Sequence, residues 1–144
     1  MISLSRPHAH MPVLSLSAHR LSRLKRRIDT ASEVTPSLMG DILRAARRTA
    51  ERGEPSKHTQ LKSFSRDGAW TDAALALISC TLPGWRLRRI CVEDRLWWCA
   101  LDRGYPVSWA EAEVDECHEN MTLALLKALI TAMQHELDAR VLAS

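Results

Sequence analysis

The segment from Asn120 to Ala139 constrains the fold of this chain more than any other, because as a helix it would be apolar on almost every side. Such a helix needs cover all round, so we predict that it lies at the centre of the packing. Lys127 interrupts the apolar run before it reaches the roughly 18 residues that a membrane span requires. The apolar positions of this segment are Met121, Leu123, Ala124, Leu125, Leu126, Leu129, Ile130 and Met133.

Three strands are predicted upstream of this helix. Large apolar residues alternate with arginines over residues 85–92, which predicts a strand with one buried face. A tight turn at Glu93 and Asp94 leads into a return strand over residues 96–101. This return strand has no polar alternation, which predicts that helices cover both of its faces. A third strand, with alanines facing inward, is predicted between residues 105 and 114.

Two basic helices are predicted in the N-terminal part of the chain. Leu21, Leu24 and Ile28 recur at spacings of three and four residues, which predicts a helix behind Ser17 as its N-cap. A second helix is predicted to begin at the Thr-Pro pair of residues 35–36, because proline has no N–H to lose at the first helical position. The buried residues of both helices are few, so most of their surface is basic and faces water or anions.

The order of the predicted elements defines the fold class. A further apolar helix, with Thr71 as its N-cap, has to end before Pro83. The order αα-αβββα predicts an α+β fold, in which a short antiparallel three-stranded sheet is packed by helices as a layered sandwich. The predicted divisions are a mobile arm over 1–16, a basic helical pair over 17–53, a loop or linker over 54–69, and an αβββα domain over 70–144 that forms one compact unit with the helical pair.

The net charge of +3 conceals opposite charges in the two halves of the chain. Residues 1–66 hold 13 Lys and Arg against 5 Asp and Glu, or +8, whereas residues 67–144 hold 7 against 12, or −5. The basic half either docks against the acidic stretch over 111–119 or neutralises the phosphates of nucleic acid. The candidate nucleic-acid-binding residues are Arg20, Arg23, Lys25, Arg26, Arg27, Arg44, Arg47 and Arg48.

Trp109 is the aromatic ring that we most expect at the surface, because it falls in phase with acidic residues on the third predicted strand. An exposed Trp beside charged residues is a frequent feature of protein interfaces. We therefore predict a protein-binding surface formed by Trp109, Glu111, Glu113 and Asp115, and no membrane partner.

No sequence pattern indicates a catalytic residue, a metal site or a cofactor. The four cysteines form no C-x-x-C pair, and the chain has neither a G-x-S-x-G motif nor an H-E-x-x-H motif. Cys117, His118 and Glu119 are adjacent in sequence, but neighbouring residues of a strand or helix point in different directions. The first twenty residues lack the continuous apolar stretch of a signal peptide, so we expect a cytoplasmic protein.

Several core and turn residues also follow a family pattern. They are Trp70, Thr71, Asp72, Ala73, Ala74, Leu75, Pro83, Gly84, Trp85, Trp97, Trp98, Cys99 and Ala100, the helix after Met121, and the upstream segments 27–31 and 36–38. Over residues 24–135 the chain resembles a family of small phage and prophage proteins of alphaproteobacteria that contain an ABA sandwich domain. The resemblance implies a helix, sheet, helix layering and a phage-associated context, without an established activity.

These observations lead to two hypotheses about function. The first is a non-enzymatic accessory protein of phage or prophage origin that binds another protein. The alternative is nonspecific nucleic-acid binding through the basic N-terminal helices.

Overall fold

The computed structural model describes residues 11–49, 69–103 and 112–143. Over these ranges the chain forms an α+β fold, as predicted, in which helices pack against a three-stranded antiparallel sheet of order β1-β2-β3. The helices are α1 (Met11–Thr30), α2 (Pro36–Thr49), α3 (Trp70–Thr81) and α4 (Met121–Ala143). The strands are β1 (Trp85–Glu93), β2 (Leu96–Arg103) and β3 (Glu113–His118).

Helix α4 lies at the centre of the packing, and this prediction is confirmed. Leu123, Leu126, Leu129 and Ile130 have no exposed surface. The helix contacts α1, α3 and one face of the sheet, so it is covered from several directions. Its start is defined by Asn120, whose Oδ1 accepts a hydrogen bond from the backbone N–H of Leu123 at 3.0 Å.

The two faces of the sheet differ in what covers them. Leu101 and Val114 are almost fully buried on the inner face, which packs on α4. The strand register places Arg89, Ala100 and Asp115 side by side on the outer face. Arg89 and Asp115 form an ion pair of 3.0 Å that passes over Ala100, which is only 2% exposed.

The second helical layer that we expected over β2 is not formed by the part of the chain that the structure describes. The outer face carries the side chains of Arg86, Arg89 and Asp115, which are 71%, 55% and 42% exposed. Trp98, on the same face, is half-buried. An apolar strand sequence does not require helices on both faces, because the paired side chains of Arg89 and Asp115 lie on either side of a residue as small as Ala100.

Strand β1 departs from the predicted alternation at a bulge. The register shifts between Leu87 and Arg89, so Arg88 is an extra residue in this strand. Arg88 pairs with Glu113 on the outer face at 3.2 Å, and Leu87 is 37% exposed instead of buried. The turn after β1 consists of Asp94 and Arg95, one residue later than predicted, and both have positive φ.

Two predicted element starts are wrong. Helix α1 begins at Met11 and not behind Ser17, so residues 11–16 are helical rather than part of an arm. Pro12 falls in the first turn, where a missing N–H costs no hydrogen bond. Thr71 does not cap α3, because Ala69 precedes the helix and the Thr71 hydroxyl instead bonds to the Thr122 hydroxyl at 2.6 Å.

The third strand also lies later than predicted, since β3 covers Glu113–His118. Of its predicted range, residues 105–111 lie outside the described residues. The same holds for residues 1–10 of the predicted arm and for residues 54–68 of the predicted linker. The cap at Thr35 is confirmed, since its Oγ1 accepts a hydrogen bond from the Leu38 N–H at 3.1 Å.

The central position of α4 generates a stability prediction. We expect Leu129→Ala to lower the free energy of unfolding by about 3 kcal/mol, because Leu129 is fully buried and its truncation leaves a cavity in the core. The same substitution at Leu75, which is 39% exposed on α3, should cost less than about 1 kcal/mol. Urea unfolding followed by circular dichroism measures both. Equal losses at the two positions would contradict the packing described here.

Candidate functional site

Helix α1 carries a row of arginines beside its buried stripe. Leu21, Leu24 and Ile28 are buried, and the residue that precedes each of them along the chain is an arginine. The stripe packs against α2 and α4. The arginines therefore lie at the border between the buried stripe and the surface, at the same spacing of three and four residues.

Helix α2 presents a second set of arginines toward this row. Ile42, Ala45 and Ala46 are buried on its inner side. Arg44 and Arg48 are separated by four residues, so they lie on one face of the helix, one turn apart. The burial of Ala45 between them brings this face against α1.

A cleft of about 210 Å³ lies between α1 and α2, and we call it the arginine cleft. Leu24 and Ala45 provide its apolar surface. Five guanidinium groups and one carboxylate supply its polar lining, which gives the cleft a formal charge of +4. These charged residues are Arg20, Arg23, Arg27, Asp41, Arg44 and Arg48.

Asp41 organises one side of the arginine cleft. Its two carboxylate oxygens accept hydrogen bonds from Arg27 on α1 and from Arg44 on α2. The hydrogen bond from Arg27 lowers the pKa of Asp41 most, desolvation opposes this effect, and the hydrogen bond from Arg44 lowers the pKa further. The net effect is a pKa below the ordinary aspartate value, so Asp41 is ionised at neutral pH and bridges the two helices.

The other three arginines of the cleft keep their charge uncompensated. Arg20, Arg23 and Arg48 have no carboxylate partner among the residues that the structure describes. A guanidinium group offers five N–H donors in a planar fork that matches a phosphate or carboxylate group. The cleft is therefore suited chemically to bind an anion with several acceptor oxygens.

The remaining predicted nucleic-acid-binding residues do not join the cleft. Lys25 forms an ion pair with Glu116 of β3 at 3.0 Å. Arg26 and Arg47 are exposed on the surface and do not line the cleft. Lys25 of the basic half is thus paired with the acidic half of the chain, whereas Arg20, Arg23 and Arg48 of the cleft have no carboxylate partner in the described ranges.

The predicted protein-binding residues are only partly within the described residues. Glu113 pairs with Arg88 at 3.2 Å, and Asp115 pairs with Arg89 at 3.0 Å, both on the outer face of the sheet. Trp109 and Glu111 lie outside the described ranges. The two placed carboxylates are therefore balanced by arginines of β1 and do not form an uncompensated acidic patch.

A partly buried polar network, which the sequence did not predict, ties α1 to α4 and β3. Lys127 of α4 binds Asp29 at 2.7 Å and lies 3.8 Å from Glu116. Glu116 also accepts a hydrogen bond from the Thr131 hydroxyl at 2.6 Å. Burial opposes the charge on Lys127, but the hydrogen bond and charge of Asp29, with the charge of Glu116, outweigh burial and raise its pKa. The only sequence signal was an isolated lysine in an apolar helix.

The adjacent residues Cys117 and His118 do not form a reactive pair. The His118 Nδ1 accepts a hydrogen bond from the Asn120 N–H at 2.9 Å, so its Nε2 donates to the Ile28 carbonyl at 3.0 Å. Both ring nitrogens are therefore used in structural contacts. Burial raises the pKa of the Cys99 thiol to about 12, and the charges of Asp115 and Glu116 add to this effect.

Neither a metal site nor a membrane span is found over residues 11–49, 69–103 and 112–143. No group of three or more His, Cys, Asp or Glu side chains in these ranges is placed to hold a metal ion. No helix there is long and apolar enough to cross a bilayer.

The fold and the cleft define a small α+β protein with a cationic groove on its helical side. No family model, curated protein or solved structure matches the chain. The resemblance to the phage and prophage family therefore stays a prediction.

The bridging role of Asp41 generates a pH prediction. An ionised Asp41 with a lowered pKa stabilises the folded state at neutral pH, and this contribution is lost as the pH falls below the ordinary aspartate pKa of about 3.9 and through the lower folded value. We expect Asp41→Asn to reduce the free energy of unfolding by up to about 1 kcal/mol at pH 7. The difference from the wild type should disappear in acid.

Urea unfolding between pH 7 and pH 2.5 measures this difference. Asp138→Asn is the matched control, because Asp138 is exposed on α4 and has no ion pair among the described residues. An Asp41→Asn loss that stays constant across this pH range would contradict the ionic bridge.

Proposed function

We propose that this protein binds the phosphate groups of nucleic acid through the arginine cleft. The observation that carries the proposal is the convergence of five arginines from two helices, three of them without a carboxylate partner in the described ranges. An uncompensated cluster of this kind repels itself, and an anion relieves that repulsion.

The dimensions of the cleft favour an extended anion over a single small one. Arg20 and Arg27 are seven residues apart on α1, which corresponds to about 10 Å along the helix axis. Guanidinium groups spread over this length can contact successive phosphates of one strand. Phosphate contacts of this type carry no base information, so the proposed binding is independent of sequence.

The proposal is for a binding protein without catalytic activity in the cytoplasm. None of the four cysteines, all of which lie in the described ranges, forms a disulfide bond, which is typical of proteins in a reducing compartment. The phage or prophage origin rests on the family resemblance alone.

The role of the cleft is tested by removing one arginine at a time from α1. Arg23→Gln removes a guanidinium group that lines the cleft, and we expect it to weaken binding to a nucleic-acid strand by about three- to tenfold. The slope of log affinity against log salt should also fall by about one unit. Fluorescence anisotropy over a series of salt concentrations measures both quantities.

Arg26→Gln is the matched control, since Arg26 lies on the same helix but does not line the cleft. At about 0.15 M salt the screening length is roughly 8 Å, so the loss of this exposed charge should change affinity less than twofold. Equal effects of the two substitutions would show that only the overall charge of the helix matters and would overturn the proposed site.

A second candidate function is protein binding through the outer face of the sheet, and Trp98 favours it. The register places Trp98 between Cys91 and Cys117 on this face. All three side chains are half-buried, and Trp98 is not packed against the hydrophobic core as Trp97 is. A large ring that lies outside the core and keeps part of its surface exposed is a common anchor in protein interfaces.

Trp98→Ala tests this second candidate. If the outer face binds a protein, proteins retained by the immobilised wild type from a bacterial lysate should be lost from the variant. Leu16→Ala is the control, since Leu16 is 49% exposed on α1. Circular dichroism establishes that both variants are folded. Identical retained proteins on all three columns would exclude Trp98 as an anchor.

A further inference from the structure

A second cavity adjoins the arginine cleft. It has a volume of about 160 Å³ and lies among α1, α2 and α4. Arg20, Ala45 and Arg48 line both spaces, so the two lie side by side. We call this second space the apolar cavity after the buried side chains of Leu21, Met133 and Leu137 in its lining. The lining also includes the polar residues Ser17, Thr49, Glu136 and Arg140.

The chemistry of the apolar cavity differs from that of the cleft. Leu21, Met133 and Leu137 are at most 9% exposed, so they provide a fixed apolar surface. Arg20 and Arg48 stand between this surface and the other guanidinium groups. A guanidinium plane can stack on an aromatic ring as well as pair with a phosphate, so these two arginines suit a ligand that has both groups.

Glu136 adds a directed acceptor to the apolar cavity. Its Oε1 accepts a hydrogen bond from the Trp85 indole N–H at 2.7 Å and lies 3.7 Å from Arg103. These contacts hold the carboxylate in place at the wall of the cavity. Both oxygens of a carboxylate accept hydrogen bonds, so an N–H group on the edge of a planar heterocycle is a natural donor to Glu136.

We propose that the apolar cavity receives one unstacked nucleobase whose neighbouring phosphate lies in the arginine cleft. This inference rests on the proposed function and narrows its ligand to nucleotides with a free base, as in single-stranded nucleic acid. Bases of a duplex are stacked and paired, so they reach such a cavity only after flipping out of the helix, which costs a few kcal/mol.

The comparison of three oligonucleotides of equal length tests the proposal on the wild-type protein. They are a single strand with bases, the same backbone without bases, and a duplex. Stacking of one base should make the complete single strand bind about tenfold more tightly than the abasic strand at the same salt concentration. The duplex should bind no more tightly than the abasic strand, apart from the effect of its higher charge.

Two tryptophan substitutions on α1 locate the effect. Ser17 lines the apolar cavity but not the arginine cleft, so Ser17→Trp fills the cavity and leaves the arginines in place. We expect it to reduce binding of the complete strand to the level of the abasic strand, with abasic binding unchanged. Ala18→Trp adds the same ring at the next, exposed position and should change neither affinity.

The outcomes separate this inference from the proposed function. Equal affinity for the complete and abasic strands would overturn the base cavity and leave the phosphate-binding cleft standing. A loss of both affinities in a Ser17→Trp variant that circular dichroism shows to be folded would also overturn it. Absence of binding to any of the three oligonucleotides would overturn the proposed function itself. The wild-type comparison decides the question whether or not the tryptophan variants fold.

A competition experiment tests whether the base of a free nucleotide also contributes to binding. A nucleoside monophosphate that displaces the labelled strand more effectively than ribose phosphate supports the base cavity. Equal displacement by the two compounds contradicts it.

Discussion

The need to cover helix α4 over residues 121–133 determines where α1, α3 and the sheet lie. Because this part of the helix is apolar on almost every side, it is stable in water only when these elements surround it. Each of these elements packs its apolar side against α4: α1 contributes Leu24 and Ile28, and the sheet contributes Leu101 and Val114. What remains outward on α1 is basic, so the cationic surface is a direct consequence of how the core is covered.

A charged network fixes where α1 lies on α4. Lys127 is the one ionisable residue between Met121 and Gln134 of α4, and it binds Asp29 near the C-terminal end of α1. Glu116 of β3 is shared by Lys127 and Lys25. An unpaired charge at Lys127 would be costly where only 16% of the side chain is exposed, so this network favours one position of α1 over others along the apolar surface. The positions of Arg20 and Arg23 depend on this placement of α1 on α4.

Local patterns predicted the elements whose hydrophobic residues recur with a clear period. Helix α4 and the cap of α2 at Thr35 followed from spacing and capping residues alone. The bulge at Arg88 and the contact of Thr71 with Thr122 could not be predicted in this way, because both depend on residues that are distant in sequence. The ion pair of Arg89 and Asp115 over Ala100 could not be predicted either, because its two residues are also distant in sequence.

The cleft itself could be predicted only as a group of basic residues on two helices. Arg26 and Arg47 belong to the same sequence pattern as Arg23 and Arg48, yet they do not line the cleft. Which arginines meet is decided by the angle between α1 and α2 and by Asp41. Its separation of three residues from Arg44 was a visible signal, but its bond to Arg27 exists only in the folded chain.

The stability of the cleft and its capacity to bind anions are opposed. Five guanidinium groups held on two packed helices repel one another, and a single carboxylate, Asp41, offsets only part of this repulsion. The helices cannot separate to relieve the rest, because the buried residues that hold α1 and α2 in place, such as Ile28 and Ile42, have no exposed surface. The core therefore keeps the arginines at fixed positions, so binding of a phosphate, as proposed, needs no free energy to bring the guanidinium groups together. A rigid apolar core is thus what makes an uncompensated cationic groove sustainable in a chain of this size.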